Sequence, residues 1–248
     1  MEVRTINRTP LYEVHKQAGA KMIDFGGWEM PVHYSSIIEE HNTVRKKAGL
    51  FDISHMGEII ISGEEAVANL QYLLSNDISQ LSVGQALYTV MCNSSGGIID
   101  DFLVYRLADK KYMLVVNAAN INKDFDWIQK NTEGKIEVNN FSADYGLLAL
   151  QGPNSEKILS DLTDVELGNI EYYHFKEGNV TDKSAIISRT GYTGEIGFEL
   201  YINNDDLQEV WNEILNKGAD YGIKPIGLGA RNTLRLEKKL CLYGKELD

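Results

Sequence analysis

A glycine turn followed by an apolar strand sequence with two acidic residues constrains the fold of this chain more than any other stretch. Residues 95–105 read SGGIIDDFLVY, and their β-branched and aromatic residues predict a strand that begins directly after the turn. Alternate side chains of a strand point to opposite faces, so Asp100 and Asp101 are expected to lie in different environments. At least one of the two carboxylates should then face a packed surface or a cavity.

Two interpretations of this acidic pair stay open at the level of sequence. An ionised carboxylate on a packed face is costly unless something binds it, which makes the pair a candidate functional site. The alternative is an edge strand on which both Asp100 and Asp101 are solvated.

The bulk composition restricts the class of protein and its partners. The chain has 248 residues, of which 43% are hydrophobic and 24% charged, and this predicts one large or two smaller globular domains. The formal net charge of −12 argues against a nucleic-acid or anionic-membrane partner. No run of about 18 apolar residues occurs, so no membrane span is expected.

The cysteine and histidine patterns indicate the compartment and argue against a metal site. Cys92 and Cys241 have no CxxC or metal-ligand spacing, which is typical of a protein from a reducing compartment. The first residues, Met1 to Thr5, lack an apolar signal core, so a cytoplasmic location is expected. The 5 histidines are scattered without ligand spacing, and no metal is expected.

The periodicity of apolar residues predicts an α+β chain in which one plan of elements occurs twice. The first copy has a strand at 58–62, a helix at 64–74, strands at 88–92, 98–107 and 113–116, a helix at 120–130 and a strand at 136–138. That order is ferredoxin-like. The second copy has a strand at 147–152, a helix at 155–162, a strand at 197–203 and a helix around Trp211. Helices are also predicted at 36–48 and 228–239.

These patterns predict two α+β modules, one inserted in the other. Residues 51–57 are interpreted as a connection into the inserted module, which covers 52–139. The other module is discontinuous and combines residues 1–51 with 140–248.

A second candidate site is the stretch 188–199, which contains three glycines and two aromatic residues and leads into a strand. Such a loop lets a ligand approach the backbone closely, although a long hairpin would have the same composition. It lacks the pattern of a phosphate loop. Arg231 and Arg235 follow on one face of the last predicted helix, where pairing with Glu237 or another surface acid is the alternative to ligand binding.

Five motifs, in this order along the chain, resemble the T-protein family of the glycine cleavage system. They are Asp24-Phe25-Gly26-Gly27-Trp28-Glu29-Met30-Pro31, Phe51-Asp52-Ile53-Ser54-His55-Met56-Gly57, Gly96-Gly97-Ile98-Ile99-Asp100-Asp101, Ser188-Arg189-Thr190-Gly191-Tyr192-Thr193-Gly194-Glu195, and Gly227-Leu228-Gly229-Ala230-Arg231 with Arg235-Leu236-Glu237. The similarity covers the chain from Thr9 to Asp248. It implies two ferredoxin-like, antiparallel-sheet modules packed around a folate channel.

The resemblance also implies a reaction and its partners. The family transfers the methylene of an aminomethyl group, carried on the lipoyl arm of the H-protein, to tetrahydrofolate. The products are 5,10-methylenetetrahydrofolate, ammonia and the dihydrolipoyl H-protein. Tetrahydrofolate is the acceptor substrate, and no metal takes part.

By the same resemblance, Asp101 is the catalytic residue and lies beside the reacting part of the folate. Positioning and electrostatic stabilisation are favoured over proton abstraction for it, because the folate amine is already a nucleophile. The other implied folate-binding residues are Glu199 as the pterin anchor, Tyr88 and Tyr192 along the pocket, Arg231, Asn117 and Met56.

The sequence departs from the family in length. Family members continue past the region of Leu242 into a C-terminal β-barrel domain, whereas this sequence ends at Asp248. Alternatives are therefore a truncated form that binds folate weakly, a noncatalytic folate-binding protein of the iron–sulfur assembly type, and the folate domain of a demethylating flavoenzyme. Arg45-Lys46-Lys47 is one candidate surface for the H-protein, and a solvated helix end is the alternative.

Overall fold

A computed structural model describes residues 6–247. The expectation about a signal sequence concerns Met1 to Thr5, which lie outside the described residues. The strands, in chain order, are β1 (Lys21–Phe25), β2 (Trp28–His33), β3 (Gly49–Asp52), β4 (Gly57–Gly63), β5 (Ala86–Cys92), β6 (Ile98–Ala108), β7 (Lys111–Val116), β8 (Ile136–Asn140), β9 (Tyr145–Gln151), β10 (Phe175–Val180), β11 (Lys183–Ser188), β12 (Gly197–Asn203) and β13 (Lys224–Pro225). The α-helices are α1 (Tyr12–Gln17), α2 (Ile37–Lys46), α3 (Ala66–Leu73), α4 (Ile121–Lys130), α5 (Ser155–Ser160), α6 (Leu207–Gly218) and α7 (Leu228–Glu237).

The chain forms two compact units. Unit 1 combines Met1–His55 with Asp144–Leu240, and unit 2 combines Met56–Ala143 with Cys241–Asp248. The tail after Leu240 thus belongs to the inserted unit, whereas the sequence had suggested the other module for it.

Unit 2 is a five-stranded antiparallel sheet with two helices on one face. Its strand order is β5-β6-β7-β4-β8. Ile59, Leu114 and Val104 lie in one buried cluster with Leu70 of α3 and Ile128 of α4. Since side chains alternate along each strand, the residues between these positions point to the opposite, helix-free face. The sheet has one strand more than a four-stranded ferredoxin-like sheet, and that detail of the prediction is not confirmed.

Unit 1 contains a six-stranded sheet in the order β10-β11-β12-β9-β3-β13 and a separate β1-β2 hairpin. Its core cluster includes Leu148, Phe198 and Leu200 from the sheet together with Ile158 of α5 and Trp211 of α6. As in unit 2, the alternate residues of these strands point away from the two helices.

The buried carboxylate of Glu40, on α2, fixes where α7 begins. Its Oε2 accepts a hydrogen bond from Gly227 N at 2.8 Å, and its Oε1 accepts from Tyr34 N at 2.6 Å and from Ser35 N at 2.8 Å. Ser36 caps α2 by accepting a bond from Glu39 N. These bonds fix the start of α7, the helix that carries Arg231.

The predicted repetition of one plan is confirmed at the level of topology. Both units contain the order strand, helix, three strands, helix, strand, from β4 to β8 in unit 2 and from β9 to β13 in unit 1. In each of these runs the first strand lies beside the fourth. A glycine with a left-handed backbone ends β4 and directly follows β9: Gly63 at φ 129° and Gly152 at φ 122°. A Cβ on Gly63 would lie 2.2 Å from Lys135 O, so only glycine fits there.

Residues 51–57 were expected to be a connection into the inserted module, and the boundary between the two units, after His55, lies within them. Phe51 and Asp52, however, belong to a strand that was not predicted, β3, which lies between β9 and β13. A four-residue buried strand has no alternation of polar and apolar residues, because both of its faces are covered. The periodicity that identified the other strands was therefore missing.

Candidate functional site

Asp101 in unit 2 is oriented by two neutral donors. Tyr88 OH donates to Oδ2 at 2.6 Å, and Asn117 Nδ2 donates to Oδ1 at 3.0 Å. The Asp101 residue is 8% exposed and Tyr88 is 41% exposed, so the pair lies at the edge of the buried region. Burial raises the pKa of Asp101 and the charge of Asp100 adds to this, while the bonds from Tyr88 and Asn117 lower it. The donors fix the carboxylate without cancelling its negative charge.

Asp100 lies on the other face of β6, against α4. Its Oδ1 accepts from Asn117 Nδ2 at 2.8 Å and from Asn120 Nδ2 at 2.7 Å, and its Oδ2 accepts from Asn117 N at 3.1 Å. The residue has no solvent exposure. As the alternation predicted, the two aspartates have different environments, yet Asn117 contacts both because it lies at the end of the neighbouring strand.

The edge-strand alternative for this pair is wrong. β6 lies between β5 and β7 in the sheet, and both Asp100 and Asp101 are buried. An inner strand has neighbours on both sides, so its flanking strands and α4 exclude solvent from the pair.

Glu58 shares the helix-free face with Asp101. Glu58 pairs with Val115, which pairs with Leu103, two residues beyond Asp101 on the same face. The residue is 1% exposed, and within residues 6–247 neither of its side-chain oxygens has a hydrogen-bond partner. Burial raises the pKa of Glu58 well above its usual range. Burial therefore favours the neutral form of Glu58.

The predicted pterin anchor, Glu199, lies on the face of the unit 1 sheet that points away from α5 and α6. It pairs with Ser188 on β11 and Ala149 on β9, and it is 7% exposed. Thr190 Oγ1 lies 2.5 Å from Glu199 Oε2 and 3.0 Å from Ser188 Oγ. Burial raises the pKa of Glu199, while the Thr190 bond and the charge of Arg231 oppose that rise.

Arg231 and Tyr192 stack in the same unit. The guanidinium carbon of Arg231 lies 4.5 Å from the centroid of the Tyr192 ring, which is a cation–π distance. Burial lowers the pKa of Arg231, and the charges of Tyr192 and Glu199 raise it. The alternative that Arg231 pairs with Glu237 is wrong, because Glu237 binds Arg45 and His41.

The glycine-rich loop is the connection of a hairpin, since β11 and β12 pair directly. Gln151 Nε2 donates to Thr190 O at 3.1 Å, and Thr193 Oγ1 donates to Gln151 Oε1 at 2.8 Å. A Cβ on Gly191 would lie 2.1 Å from Gln151 Oε1. The glycine thus lets the loop lie against Gln151, and this contact places Thr190 and Tyr192. The loop is thus a hairpin connection, as the alternative predicted, and a hairpin loop is compatible with a role in ligand binding.

A buried histidine lies close enough to Arg231 to sense its charge. Burial lowers the pKa of His55 to about 3, and the positive charge of Arg231 adds to this effect. His55 is 1% exposed and packs edge-on against Phe25 with ring centroids 5.6 Å apart. It is neutral at pH 7.

Asp52, three residues before His55, is held by several donors. Thr9 Oγ1 donates at 2.6 Å, His15 Nε2 lies at 2.9 Å, and Ser54 N donates at 2.9 Å. Burial raises the pKa of Asp52, but these bonds and the attraction to His15 outweigh burial and keep it below its usual value. Asp52 therefore stays ionised.

Arg45 is not part of an open basic surface. Its Nη1 donates to Thr193 O at 2.6 Å and to Glu195 Oε1 at 2.9 Å, and its Nη2 donates to Glu237 Oε2 at 2.8 Å. These bonds connect α2 to the glycine-rich loop and to α7. Arg45 is therefore engaged within the unit, and it does not contribute to the suggested basic patch at 45–47.

The predicted site residues fall into two sets. Asp101, Tyr88 and Asn117 lie together in unit 2, and Met56 precedes β4 at the sheet end where Gly57 pairs with Val116, next to Asn117. Glu199, Tyr192 and Arg231 lie together in unit 1. Sequence reasoning gave Thr190 no role of its own, although it lies in the 188–195 motif. It also missed Asn120 and Asp124, whose only signal was a polar residue on an otherwise apolar face.

Two structural findings bear on cofactors and membranes. Among residues 6–247, no group of three or more His, Cys, Asp or Glu side chains is placed to hold a metal ion. No helix of the described chain is long and apolar enough to cross a membrane.

The fold of this chain is that of a solved aminomethyltransferase. The chain superposes on a solved glycine cleavage aminomethyltransferase T from Bartonella henselae with a TM-score of 0.90 and 36% identity, covering 98% of this chain and 65% of that one. A subunit structure of heterotetrameric sarcosine oxidase from Corynebacterium, at 13% identity and a TM-score of 0.59, shares the fold.

Sequence comparison gives the family. The profile of the GCVT N-terminal domain matches residues 11–248. Curated relatives named aminomethyltransferase include those of Halothermothrix orenii, 53% identical over 98% of this chain and 68% of that protein, and Desulfitobacterium hafniense, 56% identical over 98% and 67%. The chain therefore belongs to the GCVT N-terminal domain family of aminomethyltransferases, and it spans about two thirds of the length of these relatives. The family resemblance and the α+β fold class predicted from the sequence are confirmed.

Proposed function

We propose that this chain carries the tetrahydrofolate-dependent transfer step of a glycine cleavage aminomethyltransferase. The observation that carries the proposal is Asp101, a nearly buried carboxylate held by two neutral donors, in a chain whose relatives bear that name. The substrates are tetrahydrofolate and the aminomethyl group on a lipoylated H-protein. A cytoplasmic location stays a prediction.

The reaction explains why a carboxylate that is held in one orientation and keeps its negative charge is useful at this site. The carbon–nitrogen bond of the aminomethyl group breaks as ammonia leaves, the carbon–sulfur bond breaks as the thiol is released, and two carbon–nitrogen bonds form to the folate. Positive charge develops on the methylene carbon after a bond to it has broken and before the new bond to the folate has formed. A preorganised carboxylate stabilises that charge without having to reorient during the reaction. Asp101 does this while Tyr88 and Asn117 hold it in place.

Glu199 has the chemistry of a pterin anchor. The 2-amino-pyrimidinone edge of a folate presents two N–H donors, and a carboxylate accepts both. Thr190 fixes the Glu199 carboxylate at Oε2, and Arg231 helps to keep it ionised. The aromatic face of Tyr192, stacked with Arg231, suits a flat ring. We therefore assign pterin recognition to Glu199, Thr190 and Tyr192.

Calorimetric titration with tetrahydrofolate, alongside a transfer assay with lipoylated H-protein, tests the proposal. We expect the 248-residue chain to bind tetrahydrofolate and to release ammonia. Asp101→Asn should retain most of the folate affinity and lose transfer, because the amide keeps the shape of the side chain but not its charge. Asp109→Asn, at an exposed position on the β6–β7 turn, is the matched control.

Each outcome of that experiment has a distinct meaning. Binding without transfer by the wild-type chain would identify a folate-binding module, which is the noncatalytic alternative. Transfer that survives Asp101→Asn would show that the catalytic assignment is wrong. A folded chain that binds no folate would contradict the proposal as a whole.

A further inference from the structure

One polar side chain on the sheet face of Glu199 has no part in the proposed reaction. Gln151 ends β9 and has no solvent exposure. It lies two residues after Ala149, the β9 partner of Glu199, and alternation therefore puts it on the same face as Glu199. Burying an amide costs free energy unless both of its ends form hydrogen bonds. Both ends of the Gln151 amide bind the loop between β11 and β12.

The partners of the Gln151 amide fix its orientation. Nε2 donates to Thr190 O at 3.1 Å, and a main-chain oxygen only accepts, so the NH₂ end must face Thr190. Oε1 then accepts from Thr193 Oγ1 at 2.8 Å. The same hydroxyl oxygen accepts from Glu195 N at 3.2 Å, so both its donor and its acceptor capacity are used. One side chain thus holds the loop on both sides of Tyr192.

Two glycines leave the space in which this amide lies. A Cβ on Gly191 would lie 2.1 Å from Gln151 Oε1. A Cβ on Gly197 would lie 2.5 Å from Gln151 Nε2 and 2.4 Å from Leu150 O. Neither glycine has a positive φ, so lack of space requires glycine at both positions. The loop and the start of β12 are therefore shaped around the Gln151 side chain.

Arg45 of α2 holds the same loop at a second group of Thr193. Its Nη1 donates to Thr193 O at 2.6 Å. Thr193 is thus bound at its hydroxyl by Gln151 and at its main chain by Arg45. Directly before Thr193, the Tyr192 ring lies 4.5 Å from the guanidinium carbon of Arg231. A loop that is ordered before the ligand arrives loses less conformational entropy on binding.

We propose that Gln151 is a positioning residue for tetrahydrofolate binding, which acts by holding Thr190 and Tyr192 in their places in the ligand-free chain. Thr190 in turn binds the Glu199 carboxylate. The proposal rests on the proposed function in that these three residues recognise the pterin. Gln151 itself contacts no substrate in this scheme, and so it sets the affinity for tetrahydrofolate and not the rate of the chemical step.

Hydrogen exchange in the ligand-free chain tests the positioning without reference to folate or activity. Gln151→Met keeps the length of the side chain and removes both hydrogen bonds. We expect the amide of Glu195, which is hydrogen-bonded within the loop, to exchange about tenfold faster, because the loop opens locally. The amides of Leu148 and Leu200, inside the sheet, should change by a smaller factor. Gln208→Met, at an exposed position on α6, is the matched control.

Calorimetric titration measures the effect on folate. We expect Gln151→Met to raise the Kd for tetrahydrofolate about tenfold, because binding must then order the loop, whereas Gln208→Met should bind like the wild type. In transfer kinetics KM should rise with Kd while kcat changes less than about twofold. Thr193→Val removes only the hydroxyl partner and should raise Kd less. The double variant should bind about as weakly as Gln151→Met alone, since both changes break the same contact.

The outcomes separate this role from the proposed function. A wild-type chain that binds no tetrahydrofolate contradicts the proposed function, and hydrogen exchange still decides whether Gln151 holds the loop. An unchanged Kd for Gln151→Met in a chain that binds would overturn the positioning role, and so would a loss of protection spread evenly over unit 1. Additive effects of Gln151→Met and Thr193→Val on Kd would also contradict it. If Gln151→Met does not fold, Thr193→Val carries the Kd test, and an unchanged Kd there has the same meaning.

Discussion

The side-chain amide of Asn117 donates to both the carboxylate and the main-chain oxygen of Asp101, each at 3.0 Å. One amide thus fixes the direction of the Asp101 side chain relative to its own backbone. The two residues belong to neighbouring strands, and the sheet holds that geometry without help from a ligand. From contacts of this kind we predict the effects of single substitutions on transfer, on tetrahydrofolate binding and on stability.

Asn117→Ala should reduce the rate of transfer. A hydrogen bond to a charged group contributes about 1.5–3 kcal/mol, which corresponds to a loss of about tenfold or more in kcat/KM. Asn117→Asp should be worse, because it places a third carboxylate beside Asp100 and Asp101. Steady-state kinetics compare these variants with Asn139→Ala, at an exposed position on β8. Equal rates for Asn117→Ala and wild type would contradict the assigned role.

Tyr88→Phe should shift the pH dependence of transfer. The Tyr88 hydroxyl lowers the pKa of Asp101, so its removal raises that pKa further above the ordinary value. The ionised form is the active one, and the acidic limb of kcat/KM should therefore move to higher pH. A pH–rate profile checks this, with Tyr72→Phe as the control because Tyr72 is 80% exposed. A limb that stays in place, or moves to lower pH, would show that Tyr88 does not tune Asp101.

Glu199→Gln should weaken tetrahydrofolate binding and leave the fold intact. The amide retains a partner for Thr190 but loses the second acceptor oxygen and the charge, so the Kd should rise about tenfold or more. Calorimetry measures this against Glu177→Gln, an exposed position on β10. Unchanged affinity in the Gln variant would mean that the pterin ring is anchored elsewhere.

Arg45→Met should destabilise unit 1. Arg45 makes hydrogen bonds to Thr193, Glu195 and Glu237, and its side chain is 16% exposed. Removing a partly buried charged donor with several partners should cost about 1–3 kcal/mol, or a Tm decrease of at least about 2 °C. Thermal unfolding of Lys46→Met, whose side chain is exposed on the same helix, provides the comparison. If both variants melt alike, the Arg45 contacts do not stabilise the unit.

Much of the fold could be predicted because its signals are local. The β-branched and aromatic residues of β6 predicted a strand at 98–107, and the structure has Ile98–Ala108; the strand at 197–203 was predicted with its observed bounds. Helix α4 was predicted at 120–130 and spans Ile121–Lys130. By contrast, β3 is short and buried on both faces, so periodicity could not reveal it.

The sequence by itself determined that Asp100 and Asp101 face different environments, since adjacent strand residues must. It also determined the repeated order of strands and helices, through the spacing of apolar residues. Only the tertiary structure decided that both aspartates are buried and that Asn117 holds them both. Those relationships depend on which strands are neighbours and on where a helix packs. The protonation of a buried acid depends on groups distant in sequence, so no local pattern encodes it.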